Sequence, residues 1–147
     1  MIRELHKKDI DRVAEIWLDT NLKAHDFIPP EYWKANYDAV REMISQAEVY
    51  VYIGEDKNEL QGFIGLDQEY IAGIFVWREA QGRGIGKRLL DRVKEEKRKL
   101  TLNVYARNMG AVRFYQREGF QIVEETVDEN TGEIEYFMCW EQSPWDS

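Results

Sequence analysis

Val76-Trp-Arg-Glu-Ala-Gln81-Gly82-Arg83-Gly84-Ile85-Gly86-Lys87-Arg-Leu-Leu90 is the stretch on which the rest of the chain turns. It joins an apolar run, Tyr70–Trp77, to a helix-like run that opens near Gly84. A strand that ends, a glycine turn and a helix that begins make an anion site. The first-turn N–H groups of a helix have no intrahelical acceptor, and the helix dipole is positive at that end. Glycine lets the backbone approach an anion with no Cβ in the way. Arg83, Lys87 and Arg88 add full charges around the same point, so a diphosphate is expected there.

Three glycine patterns compete for this loop. The dinucleotide-binding pattern G-x-G-x-x-G fits Gly82 and Gly84 but fails at Lys87. The P-loop pattern fits Gly86-Lys87 but fails at Gln81 and Arg88. Without its Ser/Thr hydroxyl there is no Mg²⁺ ligand, which argues against nucleotide hydrolysis. The third pattern, [Q/R]-x-x-G-x-[G/A], is matched in full by Gln81–Gly86. Taken alone, the hexapeptide also fits a turn whose glycines only permit tight packing.

The chain has 147 residues, the size of one domain with a full core, and residues 1–147 read as one domain. Apolar residues make up 44%, enough for it to fold alone. A net charge of −8 disfavours nucleic-acid binding and suits a cationic partner such as an amine. Against that balance, residues 83–99 are basic, from Arg83 to Lys99. A basic helix on an acidic protein suits a polyanionic ligand beside a cationic one. Cys139 is the only cysteine, so no intrachain disulfide forms and a reducing compartment is expected. His6 and His25 with one cysteine cannot build a metal cluster, so no metal is expected. No apolar run reaches about 18 residues, so no membrane span is expected and a cytoplasmic location is.

Met1–Leu5 reads as a strand. Asp9 is placed to cap a helix to about Leu22, and His25-Asp-Phe-Ile-Pro-Pro30 breaks it. Pro30 suits the first turn of a second helix over about residues 30–46. Strand-like runs follow at Glu48–Glu55, Leu60–Gln68 and Tyr70–Trp77, the first two joined by a turn at Asp56-Lys57-Asn58. A helix runs from Gly84 to about Lys99, then a strand over Leu100–Tyr105 that should lie parallel to its predecessor. A helix over about 109–118 is stopped by Gly119. Strands Phe120–Glu129 and Glu133–Glu141 close the chain, and a polar tail from Gln142 is expected to fray. The order βααβββαβαββ predicts a mixed α/β sheet with helices on both faces.

The second constellation is Asn108-Met-Gly-Ala111-Val-Arg-Phe-Tyr115-Gln-Arg-Glu-Gly119-Phe120. It matches N-x-x-A-x-x-x-Y-x-x-x-G-F residue for residue. With the Gln81–Gly86 loop one helix and one strand earlier, the chain resembles the GNAT superfamily of N-acetyltransferases over roughly residues 70–121. The segment His25-Asp-Phe-Ile, with Tyr-Trp soon after, is similar to small single-domain bacterial members, some of which acetylate protein lysines. The resemblance implies a mixed, mostly antiparallel sheet of about seven strands flanked by four helices. It also implies transfer of an acetyl group from acetyl-CoA, as co-substrate, to a primary amine. A protein lysine, a protein N-terminus or a small amine remain open as acceptor. A module that holds CoA without turnover is the alternative.

By that resemblance Tyr115 is the acid that faces the thiol sulfur; its phenol, with an ordinary pKa of about 10, carries a proton at neutral pH. Read from its residues alone, it is a helix-face aromatic of the core. A family bulge falls where Ile74-Phe75-Val76 stands, leaving backbone groups for the pantetheine amides and the acetyl carbonyl. Gln81, Gly82, Arg83, Gly84, Ile85, Gly86 and Lys87 form the diphosphate loop. Asn108 is both the family's pantetheine contact and a good N-cap.

Many family members place a glutamate as base near the fifth strand, where Asn103 aligns here. Asp67 and Glu69, near the fourth strand, an ordered water or backbone carbonyls are the alternatives, and none is singled out. Phe27, Ile28, Trp33, Tyr37 and Tyr70 are the aromatic and apolar candidates for the acceptor side, where cation–π contact suits an ammonium. Trp33 and Tyr37, one turn apart, fit the core as well. Cys139 lies outside both motifs, so direct attack in a ternary complex is expected. A monomer or a homodimer fits the sequence equally.

Overall fold

A computed structural model of the chain describes residues 1–55 and 58–143. The turn expected at Asp56 and Lys57, and the fraying expected from Pro144 onward, lie outside the described residues.

The elements run β1 (Ile2–Glu4), a 3₁₀ turn (Lys7–Asp9), α1 (Ile10–Ala24), α2 (Pro30–Ala35), α3 (Tyr37–Gln46), β2 (Glu48–Ile53), β3 (Leu60–Asp67), β4 (Tyr70–Val76), a second 3₁₀ turn (Arg78–Ala80), α4 (Ile85–Lys94), β5 (Lys99–Tyr105), α5 (Met109–Arg117), β6 (Gln121–Val127) and β7 (Ile134–Glu141). The strands form one sheet in the order β1-β2-β3-β4-β5-β7-β6. Every pairing is antiparallel except β4 with β5, which is parallel. This is the mixed sheet that the element order predicts, mostly antiparallel as the family resemblance implies. Among the described residues no helix is long and apolar enough to cross a membrane.

Strand alternation sorts the core onto two faces. Tyr50, Tyr52, Leu100, Leu102 and Val104 pack with Leu89, Leu90 and Val93 of α4 and with Tyr115 of α5. Val49, Val51, Ile53 and Phe63 pack with Val13, Ile16 and Trp17 of α1 and Trp33 of α2. Asn103 and Tyr105 alternate with the β5 core residues and therefore face the α1–α2 side. Their register partners Phe137 and Glu135 face it with them.

Three local details differ from expectation. The second helix is two, broken at Asn36. Its Nδ2 donates to Tyr32 O at 2.6 Å and its N–H bonds to Trp33 O, so the side chain competes for the carbonyl that a continuing helix would use. Asp9 does not cap α1: its carboxylate takes the Arg3 guanidinium and the His6 N–H instead. α4 stops at Lys94, five residues short of the expected end, and sheet pairing already claims Lys99 opposite Glu141.

Candidate active site

β4 and β5 share only the rungs Tyr70↔Thr101 and Ile71↔Leu102; beyond them the two strands part. The wedge holds a cavity of about 540 Å³. The expected irregularity in β4 is present, but at Ala72 rather than over Ile74–Val76. Gly65 pairs Gly73 and Leu66 pairs Ile71, so Ala72 is the extra residue, and a bulge adds local twist. Ile74, Phe75 and Val76 pair regularly with β3 on their other side. Trp77 N–H bonds to Gln61 O of β3, so by alternation the amides of Ile74 and Val76 face the wedge. All three residues line it. A Cβ at Gly73 would come within 2.3 Å of the Phe75 ring, which would have to shift.

The glycine loop follows β4. Gly82 and Gly84 have φ of +82° and +78°, the left-handed region that favours glycine. Gly84 is the N-cap of α4, and Arg88 N–H is the amide that bonds back to Gly84 O. The amides of Ile85, Gly86 and Lys87 are thus the first-turn donors left over. An added Cβ at Gly86 would make only ordinary contacts with Phe114 and Ile74, which explains why alanine is tolerated at that place in the pattern. Gln81 shapes the loop, its Nε2 donating to Val76 O at 3.0 Å.

The three cations expected at one point are not gathered there. Arg83 is exposed and has no ion pair among the described residues. Lys87 is held by Glu118 at 3.1 Å and Asp91 at 3.2 Å, which raises its pKa, Glu118 contributing most. Arg88 donates to the Tyr52 hydroxyl at 2.9 Å, on the core face of β2. Of the loop, only Gln81 lines the cavity.

Tyr115 lines the wedge and is buried. Its backbone is fixed by the end of α5: Phe120 N–H bonds to Tyr115 O, Gly119 N–H bonds to Gln116 O, and Gly119 has φ +94°. That is a Schellman cap, with the Tyr115 and Phe120 rings in contact at 5.6 Å. The Y-x-x-x-G-F spacing is therefore a helix ending as well as a site. Burial pushes the Tyr115 phenol up, with Tyr70 adding to it, so it holds its proton.

Asn108 caps α5, as its residue type suits it to do, and lines the cavity. Its Oδ1 accepts Ala111 N–H at 3.3 Å. Its Nδ2 lies 3.1 Å from His25 Nε2. His25, a cavity-lining residue that the sequence did not single out, is wired at both nitrogens, with Nδ1 2.9 Å from Asn21 Oδ1. It stacks on Trp33 and meets Tyr105 and Phe27 edge-on. Burial lowers its pKa to about 4, so it is neutral.

The acceptor-side candidates divide. Trp33 and Tyr70 line the cavity, and Tyr70 Oη donates to Asn103 Oδ1 at 2.9 Å. Phe27 packs against His25 and Tyr105 beneath the Arg107 guanidinium and does not line it. Ile28 is buried in the α1-side core, and Tyr37 lines a separate shallow pocket with Trp77. Asp67 and Glu69 are exposed, away from the cavity, and Cys139 does not reach it. Glu135 does line it, beside Asn103, and was missed because its position depends on the β5–β7 register. Among the described residues no group of three or more His, Cys, Asp or Glu is placed to hold a metal ion.

The site thus combines a splayed parallel pair, the glycine N-terminus of α4 and a buried phenol. The family model for the acetyltransferase (GNAT) domain matches residues 21–133, and the chain belongs to that family. It is an acetyl-CoA-dependent N-acetyltransferase. It is 33% identical over 142 residues to peptidyl-lysine N-acetyltransferase YiaC of Escherichia coli (strain K12), covering 95% of this chain and 96% of YiaC. Peptidyl-lysine N-acetyltransferase YjaB of the same strain is 27% identical over 131 residues, covering 89% and 88% of the two chains. The solution structure of apo-form YjaB from Escherichia coli has the same fold, with a TM-score of 0.84, 24% identity and coverage of 97% and 98%. So has yncA from Salmonella typhimurium, solved with its cofactor acetyl-CoA, at a TM-score of 0.68, 19% identity and coverage of 97% and 94%.

Proposed function

We propose that this enzyme acetylates the side-chain amine of lysine in proteins or peptides. The observation that carries the reading is the near end-to-end similarity to YiaC, whose name states that activity. The acidic chain and the aromatic wall of Trp33, Tyr70 and Tyr105 suit an ammonium on a long apolar stem.

Acetyl-CoA docks its diphosphate on the loop amides of residues 82–87, with Arg83 as the free cation beside them. Its pantetheine arm runs along the Ile74 and Val76 amides in the wedge, with Asn108 opposite. An N–H of β4 polarises the acetyl carbonyl, and charge that grows on that oxygen is held there. The lysine amine attacks directly in a ternary complex, the C–S bond breaks, and Tyr115 gives its proton to the departing sulfur. Cys139, outside the cavity, takes no acyl group. Residues 1–147 act as one domain, and the cytoplasm suits both acetyl-CoA and a lone thiol.

The test is thiol release from acetyl-CoA with an N-terminally blocked peptide carrying one lysine, its arginine counterpart, an unblocked lysine-free peptide and a panel of small amines. Turnover on the lysine peptide alone is expected. Faster turnover on a small amine or on the free N-terminus would move the acceptor to that class.

A further inference from the structure

Two carboxylates line the wedge, Asp19 and Glu135, and only one of them has no cation beside it among the described residues. Asp19 Oδ1 lies 3.8 Å from Lys23 and 3.7 Å from Arg78, two cations that hold its charge, while its buried Oδ2 has no hydrogen-bond partner among the described residues. His25 donates at one nitrogen and accepts at the other. Tyr105 donates to Asp128 Oδ2 at 2.7 Å, which occupies that carboxylate. Tyr115 is the acid, and Tyr70 donates to Asn103.

Glu135 remains. No Lys or Arg pairs with it among the described residues, whereas its neighbour Glu133 takes Arg107. Among the described residues its one side-chain hydrogen bond is from Asn103 Nδ2, 3.5 Å from Oε1. Because Asn103 Oδ1 accepts from Tyr70, the amide is oriented with its NH₂ toward Glu135. A chain therefore crosses the cavity wall from Tyr70 on β4, through Asn103 on β5, to Glu135 on β7. Tyr115 lines the same cavity, near enough to Tyr70 to feel it electrostatically.

We propose that Glu135 is the general base of the reaction, receiving a proton from the acceptor ammonium, and that Asn103 is the positioning residue that aims it. Asn103 thus fills the place of a base without being one. Burial first, and Asp128 next, raise the Glu135 pKa above the usual carboxylate value, the direction a base needs at neutral pH. The titratable groups facing it are Asp128 from the β6 end, Tyr105 and Tyr70 from β5 and β4, and Tyr32 from α2.

The protons balance. The acceptor ammonium loses two. Glu135 takes the first and passes it to water. The free amine then bonds to the acetyl carbon as the C–S bond breaks, Tyr115 protonates the sulfur, and the second proton from nitrogen restores the Tyr115 phenol.

This rests on a primary ammonium as acceptor. The test is Glu135→Gln, read by the pH–rate profile on the best acceptor found for the wild type and by CoA affinity. At pH 7 kcat should fall about 10²-fold, with CoA affinity and melting temperature unchanged. The wild-type acidic limb should be replaced by one at higher pH, where free amine appears. Asn103→Ala should displace the acidic limb while Glu135 remains. A Glu135→Gln enzyme with the wild-type rate and the same acidic limb would overturn the assignment. Wild-type failure on lysine with turnover of another amine would overturn the lysine reading alone, since the profile is then measured on that amine.

Discussion

Asn108 and His25, 83 residues apart in the chain, are joined side chain to side chain over 3.1 Å. The roles are fixed by their other partners. Asn108 Oδ1 already accepts Ala111 N–H, so its NH₂ donates to His25 Nε2. Asn21 Nδ2 donates to Trp17 O, so Asn21 Oδ1 accepts from His25 Nδ1–H. A neutral imidazole with one defined tautomer ties the C-terminal end of α1 to the N-terminus of α5 across the mouth of the wedge.

That histidine makes stability depend on pH. Its folded pKa, about 4, lies below the ordinary 6.5, so the unfolded chain binds the proton more readily. Its contribution is whole above pH 6.5 and is lost as pH falls from 6.5 toward 4. By pH 5 the loss should reach about 2 kcal/mol. Urea unfolding at pH 7 and pH 5 measures it, and His25→Gln should remove that part of the difference.

Tyr115→Phe keeps the ring that packs on Phe114 and Phe120 and removes only the hydroxyl. Turnover should fall about 10²-fold, while calorimetric CoA affinity stays within twofold of the wild type. A full rate in this variant would show that the sulfur takes its proton elsewhere.

Arg83 and Lys87 should not be equal in binding. Lys87 must leave Glu118 and Asp91 to meet a phosphate, whereas among the described residues Arg83 has no ion pair to break. Arg83→Ala should weaken CoA about tenfold, the scale of one lost charged hydrogen bond. Lys87→Ala should cost less. Titration of both variants with CoA decides the order.

Gly119→Ala forces a side chain into a left-handed backbone and brings its Cβ to 3.1 Å from Trp140. Stability should drop by about 1–2 kcal/mol, read by chemical denaturation. Because the same cap sets the height of Tyr115, turnover should drop as well.

The parts legible in the sequence are those whose causes are local. Gly82, Gly84 and Gly86 announce a turn between strand and helix, and Gly119 follows Tyr115 at the offset a helix cap requires. What stayed hidden depends on contacts between distant segments or on competition within one. Asn36 splits a helix because its side chain takes the Tyr32 carbonyl. Lys87 is held by Glu118, just past the end of another helix. Ala72, not residues 74–76, carries the bulge because the offset belongs to pairing with β3. Glu135 reaches the cavity only once β7 is registered against β5.

Two rungs between β4 and β5 also mean that the sheet is two leaves, four strands and three, fastened at one end. Whatever lies along the open seam and bonds to both leaves becomes their missing fastener. Heat resistance then follows the supply of acetyl-CoA: at a hundred times its Kd the folded form gains about 2.7 kcal/mol. A cell short of the thioester would hold this enzyme in its loosest form.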